Sequence, residues 1–268
     1  MSERRRVALI TGASAGLGAE FAEQLAARQL DLILTARRAD RLKALKLTLE
    51  SKYAIRVEYI PADLSHPTAC RHLLAAIDAL GLPVDWLINN AGYGLTGTFN
   101  SRTWNEHAAF LRVLLEVPTQ LTHALLPRMR AQGFGRVINV ASLAGLVPST
   151  AGHTLYGAVK SYLVKFSQSL AQEERVHGIH VCALCPGFTY TEFHDVNGTR
   201  ERTKSMPAFM WMSAAPVVAQ GIEGVERGQI IIVNGLWNKF VRALTKLLPE
   251  PLALALVRSR AEQFRDRE

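Results

Sequence analysis

Tyr156 and Lys160, four residues apart in Leu155-Tyr156-Gly157-Ala158-Val159-Lys160, are the side chains best suited to moving a proton. In a helix that spacing sets both on one face. A free tyrosine titrates at about pH 10, too high for acid–base work at neutrality. A neighbouring ammonium favours the phenolate and lowers that value. Closing a gap of about three units takes roughly 4 kcal/mol, more than one exposed lysine supplies, so a second positive charge is required. The competing reading is a surface Tyr–Lys pair on an ordinary helix, and so short a motif does not choose between them.

The N-terminus adds a second kind of chemistry. Val7-Ala8-Leu9-Ile10 is a short apolar run suited to a buried parallel strand. Thr11-Gly12-Ala13-Ser14-Ala15-Gly16-Leu17-Gly18 follows at once, and then Phe21, Leu25 and Ala26 recur at helical spacing. Strand, glycine turn and helix in that order form a phosphate cradle: glycines let the backbone approach a pyrophosphate, and the helix N-terminus attracts its charge. The spacing is Gly-x3-Gly-x-Gly, and a turn with a packing role alone is the alternative.

Elements that must position these residues alternate along the chain. Strands are expected at 7–11, 31–36, 55–60, 84–89, 136–141, 179–185 and 229–233. Helices are expected at 17–29, 40–52, 66–80, 103–131, 155–177 and 214–226. This alternation predicts an α/β fold: a single doubly wound, Rossmann-like domain with a parallel seven-stranded sheet and helices on both faces. Ligands of such sheets lie beyond the carboxyl ends of the strands, where the motifs fall.

TGASAGLG, NNAG, Ser142, YGAVK and PGFTYT occur in that order, and together they resemble the short-chain dehydrogenase/reductase family over about residues 5–235. The resemblance implies an oxidoreductase with a nicotinamide dinucleotide, whose oxidised ring supplies the second positive charge. It makes the glycine turn, Gly12, Ser14, Ala15, Gly16, Leu17 and Gly18, part of the cofactor site, and places Asp63 with the Leu64 backbone at the adenine. It places Asn90, Ala91 and Gly92 along the ribose, and Pro186, Gly187, Phe188, Thr189 and Thr191 at the nicotinamide. Asp63 could instead cap the following helix, and Asn90 could brace neighbouring strands.

After the second strand, where an acidic residue would bind the ribose hydroxyls of NAD, stand Arg37 and Arg38. Guanidinium groups pair with a 2′-phosphate, and Ser14 could add a hydroxyl, so NADP(H) is favoured over NAD(H). The alternative is that the arginines merely start the next helix beside Asp40. Ser142 could donate to a substrate carbonyl. A hydrolase nucleophile is the rival, but Val140 occupies the first glycine position of the required G-x-S-x-G elbow.

The implied reaction is hydride transfer between the nicotinamide and a carbonyl or secondary alcohol. Tyr156 acts as acid or base, Ser142 holds the oxygen, and Lys160 binds the ribose and depresses the tyrosine pKa. One departure stands out. The family's asparagine in the long helix, which helps hold a proton-relaying water, falls on Leu114 by the register of Pro127. A non-catalytic NADP-binding sensor or scaffold is therefore the alternative function.

The remaining features bound the reading. Cys182 and Cys185 form a C-x-x-C, but on a strand residues three apart point to opposite faces. No second pair completes a zinc site, so these thiols read as core, and no metal is expected. The apolar run after the three arginines of Met1 to Arg6 is too short for a signal peptide or a bilayer span, so cytoplasmic residence is expected. The net charge of +8 is scattered, without a nucleic-acid-binding motif.

Residues 192–213 suggest an apolar substrate lid or a packed surface excursion, with His153 a further residue near the site. Beyond 236 two helices are expected. The first could lie on a membrane surface, but packing on the body or against a second subunit is preferred. The resemblance implies a homodimer or homotetramer.

Overall fold

Among the described residues nine strands form, seven of them in one parallel sheet. The computed structural model describes residues 4–149, 151–152, 154–192 and 207–261. The strands are β1 (Val7–Thr11), β2 (Asp31–Ala36), β3 (Val57–Pro61), β4 (Val84–Asn89), β5 (Gly135–Val140), β6 (Ile179–Cys185), β7 (Phe188–Tyr190), β8 (Trp211–Ser213) and β9 (Ile231–Val233). The large sheet runs β3-β2-β1-β4-β5-β6-β9, while β7 and β8 pair separately. The strand order reverses between β1 and β4, which opens a crevice at their carboxyl ends.

Helices cover both faces: α1 (Gly16–Ala27), α2 (Ala39–Tyr53), α3 (Ala69–Leu80), α4 (Trp104–Leu111), α5 (Val117–Gln132), α6 (Thr154–Glu174) and α7 (Ala214–Glu226). Two more, α8 (Leu236–Leu247) and α9 (Glu250–Ala261), follow β9. The strands are apolar throughout because alternate residues feed different cores. Ala8, Ile10, Leu32 and Leu34 pack against Phe21 and Leu25 of α1 and Val217 and Ile222 of α7. Val7, Leu9, Ile33 and Leu87 pack on the other face against Leu73, Phe110, Leu121 and Val159. Each fully buried leucine or phenylalanine contributes roughly 1.5–3 kcal/mol. Cys182 and Cys185 likewise fall in separate clusters, both buried and both free thiols.

Two elements depart from the sequence expectation. The helix expected over 103–131 is three pieces: α4, a widened turn over Arg112–Glu116, and α5. Pro118 has no N–H to offer the Leu114 carbonyl. The chain absorbs this through an i→i+5 bond from the Val117 N–H to the Arg112 carbonyl. The helix expected from 66 begins only at Ala69. Asp63 does not cap it; its carboxylate accepts from the Ser65 N–H at 3.0 Å and the Ser65 hydroxyl at 2.7 Å, closing a local turn. His153 and residues 193–206 of the expected lid lie outside the described residues.

Candidate active site

The glycine turn sits at the carboxyl end of β1, against the end of β4. Gly12 and Gly16 have positive φ, 68° and 56°, which only glycine adopts without strain. A side chain at Gly18 would place its Cβ 2.2 Å from the Gly12 carbonyl and 2.6 Å from Asn90 Nδ2. Asn90 donates to the carbonyls of Thr11 at 2.9 Å and Gly12 at 3.3 Å, so it braces the two strand ends. Thr11 Oγ1 accepts from the N–H groups of Asn90 and Ala91 at 3.0 and 2.9 Å. Ala15 precedes α1 without a side-chain cap. The first N–H groups of that helix therefore have no capping side chain, and they could hold a pyrophosphate.

At the end of β2 the two arginines diverge. Arg38 donates from Nε and Nη2 to Ser14 Oγ at 3.2 and 3.1 Å. Its Nη1 donates to Glu192 at 3.0 Å, and Arg41 joins the same carboxylate at 2.7 Å. Arg37 is exposed, and its charge acts instead on Asp63, whose pKa is lowered chiefly by the Ser65 backbone bond. Arg38 does open α2 as its flanking residue, yet its side chain turns back to the glycine turn. Arg38 with Ser14 could hold a phosphate group where the Glu192 carboxylate now lies.

Ser142 and the Tyr–Lys pair meet at the end of β5. The Ser142 Oγ accepts from the Ala144 N–H at 3.1 Å, and the Ser142 and Tyr156 side chains hydrogen-bond to each other. Lys160 is buried, and its Nζ donates to the Val140 carbonyl at 2.7 Å, 5.6 Å from the Tyr156 ring centroid. α6 rests directly on the turn after Ser142. A Cβ at Gly145 would lie 2.6 Å from the backbone C and O of Lys160.

The pKa of Tyr156 does not fall as the Tyr–Lys spacing suggests. Burial pushes the phenol up to about 12, with the Ser142 bond pulling the other way. Burial also pushes Lys160 down to about 8. In the protein by itself desolvation therefore sets the direction of the phenol's shift, and the lowering pull comes from Ser142. Lys160 titrates lower in the fold than unfolded, so its protonation costs stability below about pH 8, and the cost disappears towards pH 10.5. Relative to Lys160→Met, wild-type protein should gain roughly 3 kcal/mol across that window. Urea unfolding at a series of pH values checks this; a constant difference would mean that the ammonium is solvated.

The sixth strand end completes the wall. The Pro186 carbonyl accepts from the Leu143 N–H at 2.9 Å, joining this turn to the Ser142 turn. Thr189 is buried, and its hydroxyl donates to Gly187 at 3.2 Å. Thr191 lies against Gly16, opposite the glycine turn. Leu114 is buried in the widened turn and packs within ordinary contact range of Gly92.

Several supporting residues escaped the sequence reading. Asn89 donates to Asn139 at 2.8 Å, and Asn139 donates to Ser167 at 2.9 Å, tying β4, β5 and α6 together beneath the site. A polar residue inside an apolar strand, as in Arg136-Val137-Ile138-Asn139-Val140, was the available signal. Gly145, Arg41 and Glu192 carried none, since their roles arise from contacts distant in sequence.

Residues 6–202 match the model of a family described as short chain dehydrogenase. A ketoacyl reductase, HetN, from Nostoc is 29% identical over 91% of this chain and 83% of its own. A short-chain dehydrogenase from Sphingobium yanoikuyae, solved with NADPH, superposes with a TM-score of 0.79 at 31% identity, covering 90% of this chain and 94% of that one. A bulky-bulky ketone specific alcohol dehydrogenase from Comamonas testosteroni gives 0.76 at 28% identity, covering 92% and 96%.

Proposed function

We propose, for a chain that belongs to the short chain dehydrogenase family, that this oxidoreductase reduces an apolar ketone or aldehyde with NADPH. The observation that carries this reading is the convergence of Ser142, Tyr156 and Lys160 at the carboxyl end of β5. The residues fit that cofactor. The α1 N-terminus and Gly12 to Gly18 suit a pyrophosphate, and Arg38 with Ser14 suits a 2′-phosphate. The NADPH in the Sphingobium relative agrees with this fit, and the bulky ketones of the Comamonas enzyme agree with a carbonyl substrate.

When bound, NADPH supplies a hydride to the carbonyl carbon. Ser142, its Oγ held by the Ala144 N–H, hydrogen-bonds to Tyr156, and a substrate oxygen seated between the two would take over both hydroxyls. Tyr156 gives its proton to that oxygen as the alkoxide forms, and the O–H bond of the phenol breaks. A phenol that burial keeps neutral is a proton donor, which favours carbonyl reduction at neutral pH. Lys160 steadies the resulting phenolate and offers N–H bonds to the cofactor ribose.

Leu114 brings no polar side chain to a relay. The reductive reading is tested by following NADPH oxidation against aromatic, steroidal, lipid and sugar carbonyls. Tight NADPH binding with no turnover on any of them would favour the sensor reading.

Cofactor choice is separable. Arg38→Asp should weaken NADPH by about 10–100-fold while leaving NADH nearly unchanged, in fluorescence titrations. Arg37→Asp should act in the same direction but less, because Arg37 faces Asp63. Equal weakening of both dinucleotides in Arg38→Asp would remove that residue from the 2′-phosphate.

A further inference from the structure

The α8 helix is strongly amphipathic, and while Trp237, Val241 and Leu244 are half-buried, the rest of its apolar side is turned outward. Leu236, Phe240 and Leu247 share one stripe, and they are 84%, 55% and 84% exposed. Asn238 and Thr245, on the opposite face, are buried. Asn238 Nδ2 donates to the Asn234 carbonyl at 2.7 Å, and its amide group fills the space a side chain at Gly187 would need. Thr245 Oγ1 donates to the Val241 carbonyl at 3.0 Å. Polar residues thus seat the helix on the body, with their hydrogen bonds satisfied locally, and its apolar stripe faces outward.

The apolar surface extends past the helix itself. Phe209, itself exposed, stands edge-on to Trp237 at 5.2 Å, and Trp237 lies 5.8 Å from Phe240. Leu252 and Leu254 of α9 are exposed as well. Lys239 and Lys246, both exposed, and half-buried Arg242 line one edge of α8. No Asp or Glu occurs from Gln229 to Pro249.

We propose that this face docks on an anionic lipid bilayer. An apolar stripe bearing Trp and Phe and edged by lysines is the chemistry of a helix lying in the headgroup region. The basic edge and the net charge of +8 favour an anionic surface and oppose a like-charged second copy. No helix among the described residues is long and apolar enough to span a bilayer, so the contact is peripheral. The seat of α8 on Gly187 places this helix beside the turn that closes the candidate active site, with the docked face turned away from it. The proposal stands on this surface alone and does not depend on turnover.

Flotation of the full chain tests it, with phosphatidylcholine vesicles and with vesicles that also contain phosphatidylglycerol. The protein should float with the anionic vesicles, more weakly with neutral ones, and salt should release it. Phe240→Ser/Leu247→Ser should lower the partition coefficient at least ~10-fold, and Lys239→Glu/Lys246→Glu should abolish the preference for anionic lipid. All four positions are exposed, so both double variants should keep the wild-type thermal midpoint and NADPH affinity. Wild-type protein that does not float with anionic vesicles overturns the proposal. So does flotation unchanged in Phe240→Ser/Leu247→Ser. A non-floating wild-type dimer that the same variant makes monomeric would also overturn it, and would identify the face as a contact between copies.

Discussion

Tyr156→Phe should lower turnover at least ~1,000-fold while leaving NADPH affinity within about two-fold of wild type. General acid catalysis by a positioned side chain contributes roughly 10²–10⁴-fold, and here the acid is removed outright. The ring stays, so its packing against the core is preserved. The Ser142 hydroxyl loses one partner but keeps its bond from the Ala144 N–H, so the local fold should hold. Single-turnover NADPH oxidation measures the chemical step, and cofactor fluorescence measures binding. Substantial activity in the variant would mean that water or another side chain delivers the proton, and Tyr156 would lose its assigned role.

The second large effect is expected at a residue with no reactive group. Gly145→Ala should reduce kcat by about 100-fold and stability by roughly 1–3 kcal/mol. The new Cβ would fall 2.6 Å from Lys160 backbone atoms and 2.9 Å from the Ser161 N, and backbone cannot swing aside as a side-chain tip can. Either the turn bearing Ser142 or the helix bearing Tyr156 and Lys160 must move, and a displacement of about 1 Å is enough to cost 10²-fold in a positioned site. NADPH affinity should fall much less, because the glycine turn after β1 lies on other elements. Rates and affinity measured side by side check this. Wild-type kcat in the variant would show that the Ser142 turn and α6 are not held in register by this contact.

Much of the architecture was legible because its signals are local. Short apolar runs separated by helical patterns specify a parallel sheet buried on both faces, and strand boundaries at 7–11, 31–36, 84–89 and 179–185 are where the sequence places them. The glycine turn was legible for the same reason, since positive φ at Gly12 and Gly16 is a demand that only residue type can meet. Family motifs in register then predicted which residues would meet at the strand ends, and Ser142, Tyr156 and Lys160 do meet there.

Other features depended on distance in three dimensions. Two adjacent arginines are equivalent on paper, yet Arg38 folds onto Ser14 and Glu192 while Arg37 points toward Asp63. The break at Arg112–Glu116 had a signal in Pro118, but only the packed helix shows that the chain meets it by widening a turn. The Tyr–Lys spacing implies a lowered phenol pKa, whereas burial raises it, because desolvation is set by every atom around the group.

The same division explains α8. Its sequence determined that Leu236, Phe240 and Leu247 share a face and that Asn238 and Thr245 share another. Which of those faces turns inward was decided by the surface waiting for it. The absent side chain at Gly187 leaves room for the Asn238 amide, and the apolar stripe is left to the solvent side. Periodicity is a property of neighbouring residues along the helix; its orientation is a property of contacts the rest of the chain supplies.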